Sequence, residues 1–289
     1  MSRGLPALAV AACVAVVASF SLFRADAAEI IHTEPSTFSP IVVYEESGER
    51  CIAFGSLRAV GRQTCIDLQA PDEMVFGYTR MMMSALFIKP DPQRVLIVGL
   101  GGGTLSRALG KVLPDAVIDT VEIDPAIVKV AETYFGYRQT SSQRVFLGDG
   151  RAFIEKVHRD GGRYDLILLD AFDVDYIPPH LLTREFLQHV RAILSDDGVL
   201  AANTFSESRK YHEESVTYAS VFGPLFNLRH GNRVILATRS GTLPDAAELR
   251  ANAAALAPAL ARFGIDVDAE LERFSRKPDW DTGARVLTD

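Results

Sequence analysis

The sequence predicts an α/β fold in which a parallel sheet carries helices on both faces, and three observations support this prediction. From residue 94 onward, short apolar segments alternate with helical patterns, which is typical of strand–helix–strand units. Residues 95–107, VLIVGLGGGTLSR, run from an apolar strand through a glycine-rich turn into a helix. Glu122 ends the next apolar segment, 19 residues after Gly103. Together these observations predict a Rossmann-like sheet that binds a nucleoside.

The glycine-rich turn is the first candidate for a binding site. Gly99, Gly101, Gly102 and Gly103 leave backbone N–H groups free at the start of the helix and place no side chains in the way of a ligand. An acidic residue at the position of Glu122 is suited to accept hydrogen bonds from a ribose. We therefore expect Gly99, Gly101, Gly103 and Glu122 to hold a nucleoside.

The composition is that of an ordinary globular protein with room for one large domain and a small companion. The 289 residues are 48% hydrophobic and 23% charged, and the formal net charge is −7. This negative charge argues against a nucleic acid as partner, because a phosphate backbone would be repelled. It suits a cationic ligand, although surface acidity can also serve solubility alone.

Residues 1–28 have the pattern of a secretory signal peptide or a membrane anchor. Residues 5–23 form an uncharged apolar run, and Ala25-Asp26-Ala27 matches a small-x-small cleavage pattern. The run is long enough to stay in the membrane if it is not cleaved. Both alternatives predict an exported protein, periplasmic or secreted. A cytosolic enzyme with a misassigned start is the remaining alternative.

Two cysteines, Cys51 and Cys65, follow this segment. They flank a short turn in a stretch with the pattern of two strands, so they could face each other across an antiparallel pair. An oxidising compartment would favour a disulfide between them, whereas two buried thiols are the alternative. We expect no metal site, because two cysteines without nearby histidines cannot complete a tetrahedral shell.

The rest of the chain is predicted to form three regions. Residues 36–70 contain three short β-rich segments, IVVYEE, ERCIAFG and TCIDLQ, and form a small β-strand domain. Residues 71–241 form the Rossmann-like domain, and residues 242–289 form a helical tail. Strands of the Rossmann-like domain are predicted at 94–100, 116–123, 144–149, 164–172 and 198–205, with one late strand within 229–240.

Acidic residues at the carboxyl ends of the strands are candidates for chemistry, because such sheets bind their ligands there. Asp149 and Asp170 end the third and fourth predicted strands, as Glu122 ends the second. Three carboxylates in these places suit an adenosyl-sulfonium compound: one takes the ribose, one reads the adenine amino group, and one faces the reacting centre. A nicotinamide dinucleotide is the alternative, but no second glycine fingerprint follows.

Four motifs give the sequence a resemblance to a known family. VLIVGLGGGTLSR, VEIDP, GDGRAF and LILLDAFD, in this order, resemble the spermidine synthase (polyamine aminopropyltransferase) family. The resemblance extends from about Val42 to about Arg239. It implies a class I methyltransferase-like Rossmann sheet preceded by a small N-terminal β domain. It also implies transfer of an aminopropyl group to a polyamine.

The resemblance implies a role for each matching residue. Glu122 would hold the ribose, and Asp149 with Gly150 would read the adenine. Asp170 would be the proton acceptor, with Asp173 as its companion carboxylate. The loop that follows would lie over the active site.

The remaining implications concern the substrates. Tyr78 corresponds loosely to a tyrosine that contacts the amine, and Tyr176, six residues after Asp170, could flank its methylenes. The family implies decarboxylated S-adenosylmethionine, or S-adenosylmethionine, as co-substrate and no permanently bound cofactor. It further implies a polyamine such as putrescine as substrate, and a homodimer. A membrane contact is expected only through an uncleaved N-terminal segment.

A carboxylate suits this chemistry because the amine arrives protonated. A polyamine nitrogen has a pKa near ~10.4, like that of lysine, and an ammonium cannot attack. Asp170 can attract the ammonium and then accept its proton as the nitrogen attacks the carbon next to the sulfonium.

The chain departs from the family at two places. Gly102 stands where the family carries an aspartate within the glycine turn, and Thr79 and Arg80 lie where a glutamate usually follows the substrate tyrosine. Both changes remove an anionic contact with a polycation. Two alternatives therefore stand beside aminopropyl transfer: a methyltransferase that uses S-adenosylmethionine itself, and a non-catalytic exported binding protein on the same fold.

Overall fold

The computed structural model describes residue 1 and residues 27–57, 61–172 and 176–289. Most of the predicted signal peptide or anchor (1–28) and the predicted substrate residue Asp173 lie outside the described residues. Within the described ranges, no helix combines the length and the apolar composition that a membrane crossing requires.

The N-terminal part forms an antiparallel sheet of four strands, in the order β1-β2-β3-β4. The strands are β1 (Glu29–Glu34), β2 (Ile41–Glu46), β3 (Glu49–Phe54) and β4 (Thr64–Asp67). The first strand, EIIHTE, precedes the region 36–70 in which the sheet was predicted. It lies at the edge of the sheet, and half of its residues are exposed. An edge strand of this kind mixes charged and apolar residues, so it carries no clear strand pattern in the sequence.

The second sheet has seven strands, in the order β10-β11-β9-β8-β5-β6-β7. Strands β5 to β9 run parallel to their neighbours within this group. Their bounds, with those of the last two strands, are β5 (Arg94–Val98), β6 (Val117–Glu122), β7 (Gln143–Leu147), β8 (Tyr164–Leu169), β9 (Leu194–Phe205), β10 (Leu225–His230) and β11 (Asn232–Thr238). The predicted alternation of strands and helices is thus confirmed for the central five strands.

The late strand predicted within 229–240 is present as β11, but the strand before it, β10, was not predicted. The chain forms a hairpin there, in which β10 and β11 pair antiparallel around Gly231, a residue with a φ of 72°. Glycine reaches this left-handed conformation without strain, so it permits the tight turn. Because β11 also pairs antiparallel with β9, the sheet is mixed rather than wholly parallel.

Helices cover both faces of the large sheet. They are α1 (Gly77–Met83), α2 (Thr104–Val112), α3 (Pro125–Tyr134), α4 (Gly150–Arg159), α5 (Arg184–Ala192), α6 (Tyr211–Phe222), α7 (Ala246–Leu260) and α8 (Val267–Leu271). Val95 and Ile97 of β5 belong to the core under α1, α2 and α7, whereas Leu96 and Val98 belong to the core under α4, α5 and α6. Neighbouring residues of a strand point to opposite faces, so a strand buried on both faces is apolar throughout.

The small sheet packs against one flank of the Rossmann-like domain. Ile41, Val43 and Ile52 of the small sheet share a buried core with Ile127 and Val130 of α3. This core also contains Leu100, the residue that follows the first glycine of the turn. The packing brings β4 to the glycine turn, so the small sheet supplies part of the wall of the cavity at the strand ends.

Candidate active site

A cavity of about 340 Å³ opens at the carboxyl ends of β5, β6, β7 and β8. This is the place where the strand order reverses, because β6 and β8 lie on opposite sides of β5. Seven residues predicted as site residues line the cavity together: Tyr78, Gly99, Gly101, Glu122, Asp149, Gly150 and Asp170. The fold thus brings together residues that lie up to 92 positions apart in the chain, as Tyr78 and Asp170 do.

The glycine turn approaches the end of β8 closely at Gly99. This residue has a φ of 97°, and a Cβ atom there would overlap the backbone carbonyl of Asp170. Only glycine allows the two strand ends to lie side by side in this way. Gly103 does not line the cavity; it precedes α2, with its backbone against the ring of Tyr137.

Gly102, where the chain departs from the family motif, is closely packed. A Cβ atom at this position would lie 3.0 Å from Cδ1 of Phe135 and 3.0 Å from both Cγ2 and Oγ1 of Thr64. Thr64 belongs to β4 and lines the cavity. The small sheet therefore occupies the space that a side chain in the turn would need.

Glu122 lies at the end of β6, where two backbone groups fix its carboxylate. Oε2 accepts a hydrogen bond from the backbone N–H of Leu100 at 2.9 Å, and Oε1 accepts one from that of Asp124 at 2.9 Å. Burial raises the pKa of this carboxyl, and the backbone donors oppose that shift. Each carboxylate oxygen has a further lone pair, so Glu122 can also accept hydrogen bonds from a ligand in the cavity.

Asp149 has a structural role as the N-cap of α4 besides its place in the cavity wall. Its Oδ1 accepts a hydrogen bond from the backbone N–H of Ala152 at 2.9 Å. Its Oδ2 lies 2.8 Å from Nε2 of His180. Burial raises the pKa of the Asp149 carboxyl, but the hydrogen bonds from Ala152 and His180 outweigh burial, and the net pKa is lowered.

Asp170 follows β8, and its carboxyl group has a raised pKa. Oδ1 accepts a hydrogen bond from Nδ2 of Asn203 at 2.9 Å, and Oδ2 accepts a weaker one from the Tyr78 hydroxyl at 3.5 Å. Burial raises the pKa of Asp170 to about 7, although both hydrogen bonds act to lower it. A carboxyl with this pKa can accept and release a proton near neutral pH.

Asn203 was not predicted as a site residue. It lies on β9, and its Oδ1 accepts a hydrogen bond from Nδ2 of Asn232 at 3.1 Å. Because its oxygen is engaged in this way, Asn203 turns its NH₂ group toward Asp170. A single asparagine within an apolar strand carries no spacing signal, so only the pairing of β8 with β9 reveals the contact.

Tyr78 lies on α1 and acts as a donor. Burial and the nearby Asp170 carboxylate raise its pKa well above the ordinary value, so the hydroxyl stays protonated. Tyr176, in contrast, does not line this cavity. Its hydroxyl donates a hydrogen bond to Oε1 of Glu214 at 2.6 Å, and its ring packs against Phe205 with centroids 5.4 Å apart.

Cys51 and Cys65 form a disulfide between neighbouring positions of β3 and β4. Among the described residues, Glu49 joins these two cysteines in the one group with the geometry of metal ligands. Sulfur binds metals as a thiolate, and the disulfide removes that form. The bond instead ties β4, with its cavity residue Thr64, to the rest of the small sheet.

The fold and the site together define a class of protein: a Rossmann-type fold whose cavity at the strand ends holds a carboxyl of near-neutral pKa beside a glycine turn. Residues 75–227 match the family model described as the spermine/spermidine synthase domain. The chain belongs to the spermine/spermidine synthase family. The four sequence motifs predicted this family and its fold, and both predictions are confirmed.

Two curated relatives support the same family. The chain is 42% identical to a polyamine aminopropyltransferase of Vibrio vulnificus over 275 residues, which cover 93% of this chain and 91% of that protein. It is 32% identical to a polyamine aminopropyltransferase of Chromobacterium violaceum over 249 residues, with 82% and 89% covered.

Solved structures share the fold. A spermidine synthase in complex with the transition-state analogue AdoDATO superposes with a TM-score of 0.66 at 18% identity, covering 87% of this chain and 86% of that one. Human methyltransferase-like protein 13 in complex with SAH superposes with a TM-score of 0.58 at 25% identity, covering 72% and 96%.

Proposed function

We propose that this protein is an aminopropyltransferase that transfers the aminopropyl group of decarboxylated S-adenosylmethionine to an amine such as putrescine. The observation that carries the proposal is Asp170, a carboxyl with a pKa of about 7 in the wall of a nucleoside-sized cavity. Family membership and the 42% identity to a polyamine aminopropyltransferase support it.

The proposed reaction is a displacement in which Asp170 manages the proton of the attacking amine. The ionised carboxylate attracts the ammonium group and accepts a proton from it. The freed nitrogen then attacks the carbon next to the sulfonium, so that a C–N bond forms as the C–S bond breaks. The sulfur keeps the electron pair and leaves as the neutral thioether of methylthioadenosine.

The same cavity would hold the nucleoside part of the co-substrate. Glu122 keeps lone pairs free for the ribose hydroxyls, and Asp149 lies at the neighbouring strand end for the adenine amino group. The glycine turn at the end of β5, on the other side of Glu122, offers backbone N–H groups at the start of α2. No cofactor has to be bound permanently, because the co-substrate itself carries the leaving group.

Gly102 favours a second candidate, methyl transfer from S-adenosylmethionine. That compound carries a carboxylate which its decarboxylated form lacks, and an aspartate in the glycine turn would repel it. Gly102 presents no charge, and the hydroxyl of Thr64 lies 3.0 Å from the position that a Cβ atom would take there. A neutral turn therefore tolerates both co-substrates.

Product analysis distinguishes the candidates. The purified protein is incubated with either co-substrate and with putrescine or spermidine, and the nucleoside products are measured by mass spectrometry. We expect methylthioadenosine from the decarboxylated compound, and a loss of about 10²- to 10⁴-fold in kcat for Asp170→Asn. Asp115→Asn, at an exposed position, is the control with unchanged activity.

Other outcomes would each contradict the proposal. Formation of S-adenosylhomocysteine alone would establish the methyltransferase instead. If the folded protein forms no product with any amine, the non-catalytic binding protein on the same fold is the remaining alternative.

We also propose that the protein is exported. The apolar run of residues 5–23 and the disulfide between Cys51 and Cys65 support this, because disulfides persist in oxidising compartments. To test export, residues 1–28 are fused to a reporter that is active only outside the cytoplasm. An inactive reporter would contradict export.

The family resemblance further leads us to propose a homodimer. Light scattering on the purified mature chain measures its mass directly. A mass equal to that of one chain at micromolar concentration would contradict the proposal.

A further inference from the structure

Residues 177–183, called here the cover segment, lead from the end of the Asp170 loop into α5. Pro178, His180 and Leu181 of this segment line the cavity. Ile177 and Leu181 are buried, with 8% and 7% of their surfaces exposed, so they fix the segment to the core. Sequence alone assigned no role to His180.

The cover segment is tied to the start of α4 by three hydrogen bonds. Nε2 of His180 donates to Oδ2 of Asp149 at 2.8 Å. Nη1 of Arg151 contacts the backbone oxygen of His180 at 3.2 Å and Oγ1 of Thr183 at 3.5 Å. Asp289 in turn holds Arg151, with contacts of 2.7 and 2.5 Å. The GDGRAF motif therefore supplies both a cavity carboxylate and the anchors of the segment that covers it.

The two oxygens of Asp149 each accept one hydrogen bond from the protein. Oδ1 accepts the N-cap bond from Ala152, and Oδ2 accepts the bond from His180. A carboxylate oxygen accepts two hydrogen bonds, so each oxygen keeps one lone pair for a ligand N–H. The two bonds together fix the plane of the carboxylate, and without His180 only the bond from Ala152 would hold it.

We propose that His180 is a positioning residue for the nucleobase: it orients Asp149 and holds the cover segment over the bound nucleoside. The proposal rests on the proposed function in that this nucleoside is the adenosyl part of the sulfonium co-substrate. His180 does not touch the reacting carbon, so it acts on binding of the co-substrate and leaves the transfer step to Asp170.

The pair contributes little to the fold without a ligand. The side chains of His180 and Asp149 are 46% and 34% exposed, and exposed ion pairs are weak because water screens them. A nucleoside that fills the cavity would exclude that water and strengthen the contact. Substitution of His180 is therefore expected to leave a folded protein with altered binding.

Calorimetric titration with methylthioadenosine tests the proposal on three variants. His180→Phe keeps an aromatic ring and loses the donor, and we expect a Kd raised about tenfold, the size of one hydrogen bond. His180→Gln places an amide nitrogen near the position of Nε2, and we expect a Kd within about threefold of the wild type. His158→Phe, exposed at the far end of α4, is the matched control and should bind as the wild type does.

Two further readouts separate positioning from a structural role. Amide hydrogen exchange within residues 177–183, measured with saturating methylthioadenosine, should be faster in His180→Phe than in His158→Phe. In turnover, His180→Phe should raise KM for the co-substrate while kcat stays within about threefold, because Asp170 is untouched.

The possible failures can be told apart. Wild-type protein that does not bind methylthioadenosine would overturn the proposed function and this inference with it. Wild-type binding, combined with unchanged affinity and exchange in His180→Phe, would overturn the inference alone. A fall in kcat at unchanged KM would also overturn it, because it would place His180 in the transfer step.

Discussion

At the scale of single residues, the pKa of Asp170 results from two opposing effects. Burial raises it, and hydrogen bonds from Asn203 and Tyr78 lower it, with a net value of about 7. The Asn203 contact is the shorter, at 2.9 Å against 3.5 Å for Tyr78, so it is expected to have the larger effect. Neighbouring side chains on β9 and α1 thus help to set the pKa of the proton acceptor.

This balance predicts the pH dependence of the reaction. Only the ionised form of Asp170 can accept a proton, so kcat/KM should rise with pH through about 7. Both hydrogen bonds stabilise the ionised form, so their removal raises the pKa and moves the rise to higher pH. We expect a shift of about one unit for Asn203→Leu and less for Tyr78→Phe, measured from pH profiles of kcat/KM.

The control for these pH profiles is a tyrosine outside the cavity. Tyr134→Phe changes a tyrosine that stacks on His32, outside the cavity wall, and should leave the profile in place. If Asn203→Leu lowered the rate at every pH without moving the profile, Asp170 would not be the group that titrates.

At the scale of elements, the site is shared between the glycine turn and β4 of the small sheet. Thr64 occupies the space next to Gly102, where a side chain of the turn would have to lie. Where the chain departs from the family motif at Gly102, Thr64 of β4 thus fills the space beside the glycine. The two positions should behave as a coupled pair.

A double-mutant cycle measures this coupling. Gly102→Asp should lower the free energy of unfolding by about 1–3 kcal/mol, because its Cβ atom crowds Thr64 and Phe135 at 3.0 Å. Thr64→Ala removes two of the crowding atoms, so Gly102→Asp should cost less in that background, as urea unfolding would show. Strictly additive effects would mean that Thr64 does not limit the turn.

At the scale of the whole molecule, the small sheet and the Rossmann-like domain act as one unit around the cavity. The small sheet shares a core with α3 and holds β4 against the glycine turn. The disulfide between Cys51 and Cys65 joins β3 to β4 across 14 positions of sequence. A cross-link in the small sheet therefore supports a wall of the site in the large domain.

Removal of the disulfide is expected to affect both stability and binding. A loop of this length predicts a loss of about 3 kcal/mol for the double variant Cys51→Ala/Cys65→Ala. A looser β4 should also raise KM for the co-substrate without moving the pH profile set by Asp170. Unfolding and kinetics are compared in the presence and absence of a reductant, which should change the wild type and leave the double variant unaffected. Equal stability of the wild type and the double variant in the absence of reductant would contradict the prediction.

The central sheet, the glycine turn and the acidic strand ends Glu122, Asp149 and Asp170 could be predicted from the sequence. These features follow from patterns within a few neighbouring residues: apolar strands, a turn without side chains and a carboxylate at the point where a strand ends. Patterns among neighbouring residues can be recognised in the sequence alone, and the family resemblance could be recognised there for the same reason.

The side chains that surround those carboxylates could not be predicted and are seen only in the three-dimensional structure. Asn203 reaches Asp170 across 33 positions, and His180 reaches Asp149 across 31. Contacts of this kind depend on strand order and loop paths, which impose no period or spacing on the sequence. The same reason explains Tyr176: its nearness to Asp170 in the chain predicted a place in the cavity, but its hydroxyl bonds to Glu214, because packing in space and not distance along the chain selects the partner.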